Sequence, residues 1–194
     1  REVIEPKSVT WSVKADDLLY LRVSTFNERT TETLRTALDA GRAALDRRPA
    51  GIILDVRNNG GGLLDQAITV TDLFLSGGEV VSTIGRRPGD IARYNARSGE
   101  VFKSVPMVVL INQGSASASE IVAGALQDRD RATVMGMPSF GKGSVQTVIP
   151  LGADRGAIRL TTARYYTPAG RSIQGTGLNL LLIHLVILTI GFMI

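Results

Sequence analysis

PMVVLINQGSASASEIVAGAL, Pro106 to Leu126, is the stretch whose reading decides the fold. PMVVLIN (Pro106 to Asn112) is a short run of β-favouring apolar residues, the pattern of a strand buried on both faces. QGSASAS is a turn of small residues, and the residues after it take up helical spacing. A buried strand that passes through a tight turn into a helix is the repeating half of an α/β domain. Ligands and nucleophiles gather at the carboxyl end of such a strand, where the following helix also offers unpaired N–H donors.

Working outward, the same alternation recurs. LLYLRVSTF (Leu18 to Phe26) reads as a strand, and Thr30 to Arg48 as a long helix with Leu34, Ala37, Leu38 and Leu45 at helical spacing. GIILDV (Gly51 to Val56) is a second buried run, closed by the glycine-rich turn RNNGGG. Leu63 to Ser76 is helical in spacing, Glu79 to Gly85 is a strand, and the polar stretch Arg86 to Glu100 is a loop or hairpin. RATVMG, SVQTVIPL and GAIRLTTARYYT add three strands after the central helix. Strand and helix in this order predict an α/β fold with a largely parallel central sheet, right-handed crossovers, flanking helices and some antiparallel additions.

Composition narrows the chemistry. The 194 residues are 44% hydrophobic and 21% charged, enough for one domain with a full core. The net charge of +4 is spread among acids rather than run together, so a mixed solvated surface is expected and no nucleic-acid face. Cysteine is absent, which removes disulfides, thiolate metal sites and cysteine nucleophiles. The single histidine, His184, lies in the apolar run LLLIHLVILTI, which argues against a Ser-His-Asp triad and against histidine-based zinc sites; no metal and no cofactor is expected. If the chain performs acyl transfer with a side-chain base, lysine is the leading candidate.

GMPSFGKGSV (Gly136 to Val145) holds that lysine. Its G-x-x-x-x-G-K spacing resembles a phosphate-binding loop, but Gly143 stands where a magnesium-binding Ser or Thr belongs, and a strand follows where a helix should. Lys142 is therefore free for another use. A serine needs a base beside it, and a lysine can be that base if burial or a hydrogen bond favours its neutral form. On a strand, positions 142, 144 and 146 share a face, so Gln146 is placed to orient Lys142. Three serines, Ser115, Ser117 and Ser119, compete as nucleophile. Local sequence alone favours helix capping for Ser117 with Glu120, and an ordinary turn for RNNGGG.

Taken together, LDVRNNGGGLL, NQGSASASEIVAGALQDRDRA, SFGKGSVQ and ARYYTPAGRSIQG resemble the carboxy-terminal processing peptidases, or tail-specific proteases. That resemblance implies a fold related to crotonases and ClpP, and a serine endopeptidase with a Ser-Lys pair that cuts proteins near accessible C-termini. It implies Ser117 as nucleophile, Lys142 as general base and Gln146 as the residue orienting the lysine. It implies an oxyanion hole from the N–H of Ala118 and of Gly61 or Gly62, and a periplasmic or membrane-associated place in a cell envelope.

Two alternatives stay open at this point: a crotonase-like acyl-CoA enzyme, and an inactive peptide-binding fragment. Residues 1–177 are expected to form the catalytic domain. The chain opens at Arg1, where the family's PDZ domain would just have ended, so a fragment or processed form is expected. Residues 178–194, LNLLLIHLVILTIGFMI, depart from the family pattern. They read as a membrane anchor, a core-packing segment, or an altered reading frame.

Overall fold

The computed structural model describes residues 7–97, 99–152 and 155–178. The apolar run after Leu178, with its anchor, core and frame readings, lies outside the described residues.

Two sheets share the fold. The first has five strands in the order β1 (Val9–Lys14), β2 (Leu18–Val23), β3 (Gly51–Asp55), β6 (Met107–Ile111) and β7 (Thr133–Gly136). From β2 to β7 neighbours run parallel, and β1 is an antiparallel edge on β2. The expected parallel sheet is therefore present. Of the expected antiparallel additions, β1 extends this sheet and the others do not: β5 (Ile91–Ala96), β4 (Gly78–Gly85), β9 (Ala157–Tyr166) and β8 (Ser144–Pro150) form a sheet of their own, in that order.

The helices are α1 (Thr30–Leu45), α2 (Leu64–Asp72) and α3 (Ala118–Asp128). α1 buries Leu34, Ala37, Leu38 and Gly41 along one stripe. It stops short of the expected Arg48 because Asp46 turns into the left-handed region at φ 49°. α3 is buried all round from Ala118 to Leu126, as a helix must be when it packs on another helix and on both sheets. The core it completes includes Phe26, Leu21, Leu54, Phe74, Ile111, Ile121 and Leu126, all with almost no exposure.

β1 was not foreseen. VTWSVK carries Trp11 and Lys14 on an edge, with only Val9 buried, so its apolar alternation is too thin to read as a strand. β5 resolves the polar stretch after Gly85 as the second arm of a hairpin with β4.

Candidate active site

β3 and β6 are parallel neighbours, so their carboxyl ends lie side by side and their turns meet. The two turns are locked by paired asparagines. Asn58 N–H donates to Asn112 Oδ1 at 2.8 Å, and Asn112 Nδ2 donates back to Asn58 Oδ1 at 2.9 Å. Asn59, fully buried, ties the glycine loop down further. Its Nδ2 donates to the Val23 carbonyl at 2.9 Å, its Oδ1 accepts the Gly61 N–H at 2.9 Å, and its carbonyl accepts from Ala116 N–H and from Ser119 Oγ.

These contacts separate the three serines. Ser115 is fully buried and donates its hydroxyl to the Val56 carbonyl at 2.8 Å. Ser119 is fully buried and donates to the Asn59 carbonyl at 2.8 Å. Both hold the β3 turn and neither faces solvent. Ser117 alone is partly exposed, and it stands at the head of α3 with φ 56° and ψ −112°. A non-glycine residue in that region is strained, and strain on a strand-to-helix turn is how a nucleophilic serine is pushed clear of the backbone.

The glycine loop packs directly on this serine. A Cβ on Gly61 would stand 2.7 Å from the Ala116 carbonyl, 2.8 Å from Ser117 Cβ and 3.0 Å from Ala118 N, and the φ of Gly61 is +98°. Glycine is required there for close approach and for backbone conformation alike. Of the two glycines expected to supply an oxyanion donor, Gly61 has its N–H committed to Asn59. Among the described residues the N–H groups of Gly62 and Ala118 have no protein acceptor.

Lys142 reaches the site through its backbone. Its N–H donates to Glu120 Oε2 at 2.9 Å, and the Ser117 N–H donates to the same oxygen at 2.8 Å. The two backbone nitrogens can be no farther apart than those two bonds laid end to end. Spacing alone could not bring these residues together; the Glu120 carboxylate does.

Lys142 departs from the expected strand position, and the condition of burial is not met. It does not sit on a strand with Gln146, since β8 begins at Ser144 and a bulge between Val145 and Gln146 breaks the alternation. The amides that a strand would spend on a ladder go instead to side-chain oxygens. Lys142 is also exposed rather than buried, as is Gln146. Among the described residues neither Lys142 Nζ nor the Gln146 carboxamide makes a hydrogen bond, so the placement of Gln146 on the lysine is not formed here.

Beneath the glycine loop lies a charged cluster that sequence reasoning missed. Asp55, fully buried at the end of β3, accepts from Tyr20 Oη at 2.6 Å, from Arg57 Nε and Nη2 at 3.0 and 2.7 Å, and from the Arg57 N–H at 2.9 Å. Arg22 Nη1 adds an ion pair at 3.2 Å. Burial pushes the Asp55 carboxyl up, but the hydrogen bonds from Arg57 and Tyr20 outweigh it and hold it at about 2. Burial, then the bond to Asp55, push the Tyr20 hydroxyl up from its ordinary value. The signal was in LDVR, an acid and a base two apart at a buried strand end.

Among the described residues, no three of His, Cys, Asp and Glu are grouped so as to hold a metal ion. No described helix is long and apolar enough to cross a membrane.

Comparison with known proteins places this arrangement in a class, that of the peptidases. Residues 17–180 match the model described as peptidase family S41, and the chain belongs to that family. It is 54% identical over 180 residues to a carboxy-terminal-processing protease of Bartonella bacilliformis, a match covering 92% of this chain and 41% of that protein. It is 40% identical over 161 residues to the chloroplastic C-terminal processing peptidase of Tetradesmus obliquus, covering 82% of this chain and 33% of that one. Among solved structures, the photosystem II D1 C-terminal processing protease superposes with a TM-score of 0.79 at 35% identity, over 92% of this chain and 48% of that one. The chain thus spans less than half the length of these relatives.

Proposed function

We propose that this chain is the catalytic domain of a serine endopeptidase that cleaves proteins near their C-termini through Ser117 and Lys142. The observation that carries the reading is the shared Glu120 oxygen, which brings the backbone of the accessible serine of the SASAS turn and that of the lysine to a single point. In attack, Ser117 Oγ bonds to the scissile carbonyl carbon while the neutral Lys142 amine takes the hydroxyl proton. The oxyanion is met by the N–H groups of Ala118 and Gly62. Collapse breaks the C–N bond, the Lys142 ammonium returns the proton to the leaving amine, and water then hydrolyses the acyl-enzyme by the same route in reverse.

The exposure of Lys142 bears on how the site works. A lysine base needs low dielectric around it, and in this chain that must come from whatever covers the loop, substrate first of all. The same openness favours a second reading, in which the chain holds an unfolded peptide and does not turn it over. By resemblance to the family we place the protein in a cell envelope, acting on protein or peptide substrates.

Both readings are tested by cleavage of a denatured protein with wild type, Ser117→Ala and Lys142→Ala, each shown by circular dichroism to be folded. Cleavage by wild type, reduced at least about a thousand-fold in both variants, is the expected result. Equal cleavage by Ser117→Ala would reject the mechanism, and peptide binding without turnover in folded wild type would favour the second reading.

A further inference from the structure

Three successive amides around the lysine are captured by side-chain oxygens. Gly141 N–H donates to Glu120 Oε1 at 2.7 Å, Lys142 N–H to Glu120 Oε2 at 2.9 Å, and Gly143 N–H to Gln174 Oε1 at 3.1 Å. Glu120 has no exposure at all, and it accepts two donors more: the Ser117 N–H on Oε2 at 2.8 Å and the Ser139 hydroxyl on Oε1 at 2.6 Å. A capping glutamate needs one donor; this one gathers four, from the serine turn and from the lysine loop.

Gln174 comes from the other side. It is exposed, in the segment Ser172 to Leu178 that returns past the lysine loop. Gly175 N–H donates to the Gly141 carbonyl at 2.9 Å, and Leu178 N–H to Ser139 Oγ at 2.7 Å, so this segment and Glu120 hold the same loop between them. The fit is close, since a Cβ on Gly143 would stand 2.4 Å from Gln174 N.

We propose that Glu120 and Gln174 are the two jaws of a clamp that positions Lys142 against Ser117. The proposal rests on the Ser117–Lys142 reading and adds to it. Neither residue touches the reacting atoms, so both are positioning residues. Glu120 sets the lysine backbone relative to the nucleophile turn. Gln174 passes the placement of the Ser172 to Leu178 segment on to the lysine. Misplacing a base by an ångström slows the chemical step without loosening substrate, so the loss should fall on kcat and leave KM unchanged.

The test uses the full chain and a fluorophosphonate, which phosphonylates a serine: the Oγ–P bond forms, fluoride leaves, and the base takes the hydroxyl proton. The final extent of labelling counts folded sites, and its rate reports their alignment. Gln174→Ala should keep the wild-type melting temperature and label to completion, with the labelling rate and kcat on a denatured protein both reduced about ten- to a hundred-fold. Gln174→Glu, whose carboxylate accepts the same N–H, should recover to within a few-fold of wild type. Glu120→Gln should lose more, because its amide turns a donor toward groups that are donors themselves. A wild-type labelling rate in Gln174→Ala overturns the clamp, as does an equal loss in Gln174→Glu. A wild type that does not label, or a Ser117→Ala that labels as fast, sinks the Ser-Lys reading and the clamp with it.

Discussion

Ser117 and its two neighbouring serines show how one residue type is sorted into separate roles within five positions. Ser115 and Ser119 give their hydroxyls to carbonyls of the β3 turn, and Ser117 does not. Removing the Ser119 hydroxyl takes one of two donors from the buried Asn59 carbonyl, which keeps the Ala116 N–H, so Ser119→Ala should lower stability by about 0.5–1.5 kcal/mol in urea titration while the folded fraction keeps its activity. Ser117→Gly should do the opposite. Glycine is at ease at φ 56°, so the variant should gain up to about 1 kcal/mol while losing activity. Equal melting curves for Ser117→Gly and wild type would remove the claim of strain. Asp55 makes a prediction in pH. Its carboxyl is held at about 2 against an ordinary 3.8, so its contribution is fully present above the ordinary value and is lost as pH falls through 3.8 toward 2. That contribution is about 2 kcal/mol, and Asp55→Asn should flatten the fall in stability between pH 4 and pH 2. The neutral variant should also be less stable at pH 7, because Arg57 is left facing an uncharged partner. An unchanged acid limb in Asp55→Asn would assign the acid sensitivity to other carboxylates.

At the scale of elements, strands bracketed by turns were legible and the loops that carry chemistry were half legible. GIILDV, PMVVLIN and the helix after SASAS declare themselves through apolar runs and period, because β3 and β6 are buried on one face and buried or half-buried on the other, and α3 is buried all round. β1 did not, since an edge strand over one residue of core needs no apolar face. The lysine loop was misread as strand for a different reason: its amides are satisfied by Glu120 and Gln174, one far upstream and one far downstream, and no local pattern records such partners. The glycine turn was legible as permissive backbone but not as a fitted surface. Its fit makes a prediction: a Cβ on Gly62 would stand 2.1 Å from the Phe26 carbonyl oxygen, and backbone atoms cannot swing aside as a side chain can. Gly62→Ala should therefore cost several kcal/mol, on the order of the largest single-residue losses, and take the oxyanion donor with it. Gly60, with nothing within 4 Å of its would-be Cβ, is the control, and Gly60→Ala should fold as wild type. If the two substitutions melt alike, the close approach of Gly62 is not what holds the loop.

Over the whole molecule, the two sheets differ in how far they are covered, and this bears on what the rest of a longer chain would do. The five-stranded sheet is packed by α1, α3 and its own neighbours. In the second sheet, β8 pairs with β9 alone, and from Gln146 to Pro150 and Ala157 to Thr162 both strands are exposed. One face of that hairpin carries Ile149 paired with Ile158, with Leu160 beside them, each more than two-fifths exposed. A two-stranded ribbon with solvent on both faces is marginal by itself, so its hydrogen bonds should open without the rest of the domain. Sequence could not foresee this, because TVIPL and AIRL have the composition of buried strands, and only the topology reveals that no described element lies over them. The consequence is measurable by hydrogen exchange. Amides in β8 beyond Gln146 should exchange at least about a thousand-fold faster than those of β3 and β6, which open only with the global unfolding of the domain. Because Lys142 and Gln146 sit at the root of this ribbon, its opening would also loosen the lysine loop. Exchange at Val145, on the other side of the bulge, should then be intermediate, slower than at Ile149 and faster than at Leu54. Protection of Ile149 equal to that of Leu54 at all protein concentrations would show that the ribbon is held as firmly as the core. Protection that rises with concentration would show instead that a second copy of the chain covers its apolar face.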